Sequence, residues 1–350
     1  MTIRVAINGF GRIGRMVYRR AAGIPDIKVV AVNGTADKET LLHLLRYDSL
    51  HGTWKTALQS EPEGWRMGET LTRTFATRDP SVLPWRDLDI DVVVEATGKF
   101  RTRDTAGVHL AQGAKRVLIT APAKTPADVD ITLVKGVNDR EFNPALHRII
   151  SGASCTTNAL APVVKLLHEK FGLAHGLMTT VHSYTNDQQI LDNPHADWRR
   201  ARACGQSIIP TTTGAARAVG LVLPELAGKL NGVSLRVPTP NVSLVDLVAT
   251  LERQTSVAEV NEALAEAAVM SMAGILGYTD EPLVSMDFNG EERSAVVDGT
   301  STMMVGDRTV KVLAWYDNEW GYSCRIVDLV RLMGSTPLYA EDEQTALARF

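Results

Sequence analysis

The sequence predicts an α/β protein in two parts: a mainly parallel, doubly wound sheet, then a second domain of α+β character. Three observations predict it. Short apolar runs alternate with helix-like segments up to about residue 150, a glycine-rich turn joins the first run to the first helix, and later strand candidates are longer. Such alternation is the pattern of parallel strands linked by crossover helices, which cover both faces of the sheet.

In order, residues 3–8 form an apolar run, residues 9–22 have helical character, and residues 28–32 form a second run rich in Val, together a βαβ unit. Runs at 92–96, 116–119 and 148–150 read as further buried strands. Residues 53–87 carry Trp54, Trp65, Trp85 and several turn residues, which predicts a small antiparallel insertion. The second part offers strands at 233–238, 242–252 and 310–316, with helices between them. Residues 322–333 read as a helix that returns to the first domain. The expected divisions are a first domain at 1–153, a second at 154–320, the returning helix at 321–334 and a variable tail at 335–350.

A chain of 350 residues with 45% hydrophobic and 22% charged residues is long enough for two ordinary cores. A formal net charge of -3 gives no support to a general nucleic-acid or membrane-surface role. The N-terminus enters its first strand without a basic region, an apolar signal core or a cleavage site, so a cytoplasmic protein is expected. Its three cysteines, Cys155, Cys204 and Cys324, are sparse and lack metal-ligand spacing. No metal site is expected, and any thiol reactivity belongs to an individual residue.

Gly9-Phe10-Gly11-Arg12-Ile13-Gly14 matches G-x-G-x-x-G, after a strand and at the opening of a helix. In that context the first glycine permits a tight turn, the second lets a pyrophosphate reach the backbone, and the third allows close strand–helix packing. The sheet is therefore of the Rossmann, dinucleotide-binding type. The second strand ends in Asn33-Gly34-Thr35, where an NAD site usually places a carboxylate that holds the ribose hydroxyls. The missing carboxylate leaves room for a 2′-phosphate, so NADP is expected ahead of NAD. Asp37, slightly further on, offers the carboxylate by another loop path.

Cys155 lies in Ser154-Cys155-Thr156-Thr157-Asn158, between a strand candidate and residues 159–167, which recur at helical spacing. It should open a helix, where unpaired N–H groups favour a thiolate, and a nearby imidazolium would lower the thiol pKa further. Pro162 should cost that helix a hydrogen bond or a kink. His182, in a strand-like run 27 residues on, is the candidate base. The other histidines lack such context and read as structural.

The segments INGFGRIGR, SGASCTTN with the later His182, IIPTTTGAA, RVPTPNVS and WYDNEWGYS together resemble phosphorylating glyceraldehyde-3-phosphate dehydrogenases over roughly residues 2–333. Residues 33–52 and 191–210 look most like the bacterial branch that prefers NADP. The resemblance implies attack of Cys155 on an aldehyde, hydride transfer to a nicotinamide, and phosphorolysis of the resulting thioester, with His182 as base and the Cys155 N–H as oxyanion donor. It implies that Thr185, Arg199 and Arg236 hold the substrate phosphate, while Ser154, Thr156, Thr213 and Gly214 hold the attacking phosphate. Arg200 and Arg202 are expected to be structural, and Asp187 to orient an arginine or cap a turn. The resemblance implies that Asn318 contacts the nicotinamide carboxamide and that Arg78, Thr97 and Thr120 lie near the adenosine. Its partners would be glyceraldehyde 3-phosphate, inorganic phosphate and other copies of the chain, in a homotetramer.

Two positions depart from common family usage. Ala159 stands where many members have a second Cys, and Asn193 replaces a Leu common before Pro194, a polar exchange suited to a 2′-phosphate. A competing activity on the same fold is oxidation of erythrose 4-phosphate with water as acceptor. A competing class is a non-catalytic nucleotide- or RNA-binding regulator.

Overall fold

The structure, a computed structural model, describes residues 2–336. The expected tail from 337 onward lies outside the described residues. The first half contains β1 (Ile3–Asn8), α1 (Arg12–Ala21), β2 (Ile27–Asn33), α2 (Lys38–Arg46), β3 (Gln59–Glu61), β4 (Gly64–Met67), β5 (Thr70–Phe75), β6 (Val92–Glu95), α3 (Arg103–Ala111), β7 (Arg116–Ile119), β8 (Ile131–Thr132) and β9 (Ile149–Ser151). The remainder contains α4 (Cys155–Phe171), β10 (Leu173–Ser183), β11 (Ile209–Thr212), α5 (Ala215–Val222), β12 (Leu230–Val237), β13 (Ser243–Leu251), α6 (Val257–Val269), β14 (Leu276–Thr279), β15 (Ala295–Val305), β16 (Thr309–Tyr316) and α7 (Trp320–Ser335).

The first sheet has the order β3-β4-β5-β2-β1-β6-β7-β9-β8. Strands β5, β2, β1, β6, β7, β9 and β8 run parallel, and the β3-β4-β5 ribbon is antiparallel. The expected insertion therefore widens the sheet, with β5 joined in parallel to β2. From β1 the chain builds first to one side and then to the other, so the order reverses beside β1, where doubly wound sheets open a ligand crevice at the strands' carboxyl ends.

The second sheet runs β11-β12-β10-β13-β16-β15-β14, mostly antiparallel with parallel pairs β10/β12 and β14/β15. Helices α4, α5 and α6 cover one face, where Met178, Val245, Leu247 and Val312 pack against Leu160, Val163 and Leu167. Alternation along β10, β12 and β13 turns Leu177, Val233 and Val248 outward and leaves them exposed. Helix α7 packs against α1 and against β1, β6 and β7. Among the described residues no helix is long and apolar enough to cross a membrane.

Candidate active site

The dinucleotide turn is built from backbone. Gly9 has φ +98°, and a Cβ there would lie 2.6 Å from the Ala96 carbonyl carbon; a Cβ on Gly14 would lie 2.1 Å from the Gly9 oxygen. Gly11 faces open space, with nothing within 4 Å of its Cβ position. Together these features leave the start of α1 open to an anion, so the residues fit a bound pyrophosphate. A cavity of about 380 Å³ opens there, lined by Gly9, Gly11, Gly34, Thr35, Arg78, Thr97 and Lys99 among others, none of them acidic.

Several predicted cofactor residues turn out to shape this pocket from beneath. The Asn33 amide donates to Asn8 Oδ1 at 2.7 Å and to the Thr77 carbonyl at 3.0 Å, and its oxygen accepts from Thr77 N–H at 3.1 Å. Its side chain is therefore not free for a ribose. Thr97 donates to the buried carboxylate of Glu95, which also accepts from Asn8 at 2.5 Å and lies 3.1 Å from His109 Nε2. Trp85 Nε1 donates to His109 Nδ1 at 3.0 Å, so the ring proton is assigned to Nε2 and donated to Glu95. Thr120 caps the end of the neighbouring strand through its bonds to the Glu95 carbonyl and does not line the cavity. The alternative carboxylate, Asp37, is the N-cap of α2 and accepts from Thr40. Ile13 packs against the core beside the turn.

Cys155 is the first residue of α4, as its sequence context predicts. The preceding Ala153 has φ +55°, a left-handed conformation that costs a non-glycine residue about 1–2 kcal/mol. Its carbonyl accepts from Tyr322 of α7 at 3.0 Å. Ser154 caps the helix, accepting from Thr157 N–H through its side chain and from Asn158 N–H through its carbonyl. The N–H groups of Cys155 and Thr156 are then among the free donors of the first turn. Pro162 lies within a continuous 17-residue helix, where it withholds the bond that the Asn158 carbonyl would otherwise accept.

His182 is the penultimate residue of β10, facing inward, and Nε2 lies 3.6 Å from Cys155 Sγ. Nδ1 meets an acceptor, the Ser183 carbonyl at 2.7 Å, and a donor, Arg236 Nη1, so either neutral tautomer finds a partner there, and Nε2 is the nitrogen that faces Cys155. The register of parallel β10 and β12 places Arg236 directly beside His182. Its Nη1 lies 2.8 Å from the same Nδ1 and donates to the Ser183 carbonyl at 3.0 Å. Burial, then the Arg236 charge, lowers His182 from its ordinary 6.5 to about 3. Burial pushes the Cys155 thiol up, opposed by Arg236 and by the Thr156 hydroxyl. Burial here favours the neutral ring over the expected imidazolium, and the cation acting on the thiol is Arg236.

The predicted anion residues separate into two groups. Arg236 is half-buried, and its Nε has no partner among the described residues. Arg199, expected on the substrate phosphate, is exposed and reaches only the Pro210 carbonyl at 3.4 Å. Arg200, expected to be structural, faces inward: it donates to Thr211, pairs with Asp187, which was expected to orient an arginine, and its charge depresses both His182 and Arg236. Consecutive residues in this loop face opposite ways, and nothing in the sequence sets which faces in. The Thr185 carbonyl accepts from Gln188 N–H in a turn. Thr156 Oγ1 lies 2.9 Å from the Tyr316 hydroxyl, which bridges to Thr180. Thr213 and Gly214 precede α5, whose first residue, Ala215, accepts from Thr157 Oγ1 at 3.4 Å. The amino ends of α4 and α5 therefore meet. Asn193 is exposed; its backbone donates to Ala201 and its amide to Gln189, and it is not among the residues lining the dinucleotide cavity.

Asn318 lies between the two sheets. Its oxygen accepts from Ser183 Oγ at 2.9 Å and Ser243 Oγ at 2.8 Å, which directs its amino group to the other side. Arg12, predicted to bind cofactor, has its guanidinium held by Asp48 and Glu319. Ser183, Ser243, Tyr316 and Lys99 carried no signal of their own in the sequence, since hydroxyls and single lysines recur throughout the chain.

A dinucleotide turn on one sheet, facing a thiol and an imidazole carried by the second part of the chain, is the arrangement of a nucleotide-dependent oxidoreductase. The description "Glyceraldehyde 3-phosphate dehydrogenase, NAD binding domain" matches residues 3–103, and "Glyceraldehyde 3-phosphate dehydrogenase, C-terminal domain" matches residues 154–318. The chain belongs to the glyceraldehyde-3-phosphate dehydrogenase family. It is 58% identical to glyceraldehyde-3-phosphate dehydrogenase 2 of Bacillus subtilis over 331 residues, covering 95% of this chain and 96% of that one. It is 56% identical over 338 residues to glyceraldehyde-3-phosphate dehydrogenase of Geobacillus stearothermophilus, covering 97% of this chain and 100% of the relative. Glyceraldehyde-3-phosphate dehydrogenase 1 of Streptomyces avermitilis is 51% identical over 337 residues, with 96% and 100% covered.

Proposed function

We propose that this protein catalyses the reversible, phosphate-dependent oxidation of glyceraldehyde 3-phosphate to 1,3-bisphosphoglycerate, with NADP preferred to NAD. The observation that carries this reading is Cys155 Sγ at a helix start, 3.6 Å from His182 Nε2, beside two inward arginines. His182 Nε2 takes the Cys155 thiol proton as Sγ bonds to the aldehyde carbon, and returns it to the resulting oxyanion, which faces the free N–H groups of the first turn of α4, to give the hemithioacetal. The bound nicotinamide supplies the hydride acceptor. His182 Nε2 takes the hydroxyl proton as hydride leaves that carbon, giving a thioester. Inorganic phosphate then attacks the thioester carbon, and Cys155 departs as thiolate.

The substrate phosphate is assigned to Arg236 and Arg200 with Thr185. The attacking phosphate is assigned to the adjoining starts of α4 and α5, at Thr156, Thr213 and Gly214. A phosphate dianion against the two arginines offsets the positive charge that depresses His182, so the base strengthens when substrate is present. NADP is favoured by a cavity that offers Thr35, Arg78 and Lys99 and no carboxylate to repel a 2′-phosphate.

We assign residues 1–153 to cofactor binding and 154–320 to the chemistry, with 321–334 bracing the first part. The uncovered, apolar outer face of the second sheet and the exposed Ile190 and Trp198 support a homotetramer. Reliance on a free thiol fits the reducing cytoplasm. Initial rates on glyceraldehyde 3-phosphate with each nicotinamide cofactor, with and without phosphate, test the activity. Rates should need phosphate and be higher with NADP; rates indifferent to phosphate would sink the assignment.

A further inference from the structure

The side chain of Arg12 belongs to the glycine-rich turn by sequence and to another contact by geometry. Nε donates to Glu319 Oε1 at 2.9 Å, Nη2 to Glu319 Oε2 and to Asp48 Oδ1 at 3.1 Å, and Nη1 to Asp48 Oδ2. All three guanidinium nitrogens are thus engaged by protein carboxylates. The pairing raises Arg12 further above its ordinary range and holds Asp48 well below the carboxylate range, despite burial that opposes both shifts.

The same network reaches the residue next to Asn318. Glu319 Oε2 lies 3.2 Å from His51 Nε2, and Asp48 Oδ1 accepts from the N–H groups of Leu50 and His51 at 2.9 Å. On the other side Asp317 accepts from Asn241 and Gly290, and its second oxygen accepts from the N–H groups of Glu319 and Trp320. The three successive side chains therefore face three ways. Asp317 holds the 241 and 290 loops, Asn318 holds Ser183 and Ser243 beside His182, and Glu319 holds the first turn of α1. The first turn of α1 seats the pyrophosphate, and Asn318 meets the nicotinamide in the function proposed above.

We propose that Arg12 and Glu319, braced by Asp48 and His51, form a clasp that sets the distance between the pyrophosphate seat and Asn318. Arg12 is then a positioning residue. It acts at the nicotinamide end of the cofactor through Glu319, and its guanidinium does not grip the pyrophosphate. The inference rests on the reading that a nicotinamide dinucleotide spans these two points.

Two probes separate the possibilities on the full-length protein. One is NADP; the other is 2′-phospho-ADP-ribose, which has the pyrophosphate and lacks nicotinamide. Calorimetry on the parent chain, Arg12→Met and Glu319→Gln should show both variants losing about tenfold in NADP affinity, as expected for an ångström-scale misplacement of a contact. Affinity for the fragment should change by less than about twofold, since the backbone seat at Gly11 is untouched. Equal losses for both probes in Arg12→Met would overturn the clasp and assign the guanidinium to the pyrophosphate. Unchanged NADP affinity in both variants, with thermal midpoints showing them folded, would overturn it as well. Glu319→Gln keeps the size and acceptor oxygen, so the test stands if Arg12→Met fails to fold around Asp48. A parent chain that binds neither probe contradicts the cofactor reading itself, an outcome distinct from every variant result above.

Discussion

The two binding regions of this protein are made by opposite means. At the carboxyl ends of β1, β2 and β6 the cavity is shaped by backbone: a left-handed Gly9, a Gly14 packed against Gly9, and strand ends tied together beneath by Asn8, Asn33 and Glu95. At the carboxyl ends of β10 and β12 the site is made by side chains that burial shifts in opposite directions, a thiol pushed up and an imidazole pushed down, with Arg236 beside both. The first region is fixed by which atoms fit. The second is fixed by which protonation states burial permits, so it responds to pH and to bound anions.

The largest effect expected from this contrast is steric. Gly14→Ala places a methyl 2.1 Å from the Gly9 oxygen, so the turn must shift. Cofactor affinity should fall by about 100-fold or more, read by fluorescence titration, since displaced backbone donors no longer meet the pyrophosphate. The Cys155–His182 pair, on the other sheet, should keep its reactivity toward a thiol reagent. Loss of both together would break the separation of the two regions.

A smaller effect distinguishes two neighbouring arginines. Arg200→Ala should raise KM for glyceraldehyde 3-phosphate by about 10- to 100-fold, the scale of a lost charge-assisted contact. Arg199→Ala should change it by less than about twofold, as for an exposed charge. Steady-state kinetics on the pair decides it, and the reverse ranking would return the assignment to Arg199.

The smallest effect is on stability. Unfolding returns His182 to about 6.5 while the folded chain holds it near 3, so below 6.5 the unfolded state takes up the proton first. His182 contributes no pH dependence above that range, and stability falls as pH drops from about 6.5 toward 3, by at most about 1.4 kcal/mol per pH unit from this group. Urea unfolding at pH 7.5 and pH 5 should show a smaller acid loss in His182→Asn than in the parent chain. An equal loss in both would remove the depressed imidazole from the account.

How much the sequence disclosed follows the same division. The glycine spacing, the alternation of β1, α1 and β2, and Cys155 at a helix start were legible because each depends on local sterics and periodicity. Strand β15, the two-residue β8 and the parallel junction of β5 with β2 were not, because pairing partners are chosen by the whole sheet. Neutral His182 was hidden for a related reason. Its charge state depends on Arg236, which is 54 residues away in sequence and adjacent only through the β10/β12 register. Arg200 facing in and Arg199 facing out depends on loop register alone. The partners of the Arg12 side chain were hidden by a different route: the motif that marks its backbone says nothing about Asp48 and Glu319.

The central claim is that Cys155 carries the acyl group until phosphate removes it. Mixing the enzyme with glyceraldehyde 3-phosphate and NADP without phosphate, then recording reduced cofactor and intact protein mass, tests it directly. The account predicts about one reduced cofactor per chain, an acyl adduct on Cys155 that phosphate discharges, and neither signal in Cys155→Ala. Continuous turnover without phosphate, or a burst that survives in Cys155→Ala, would contradict it.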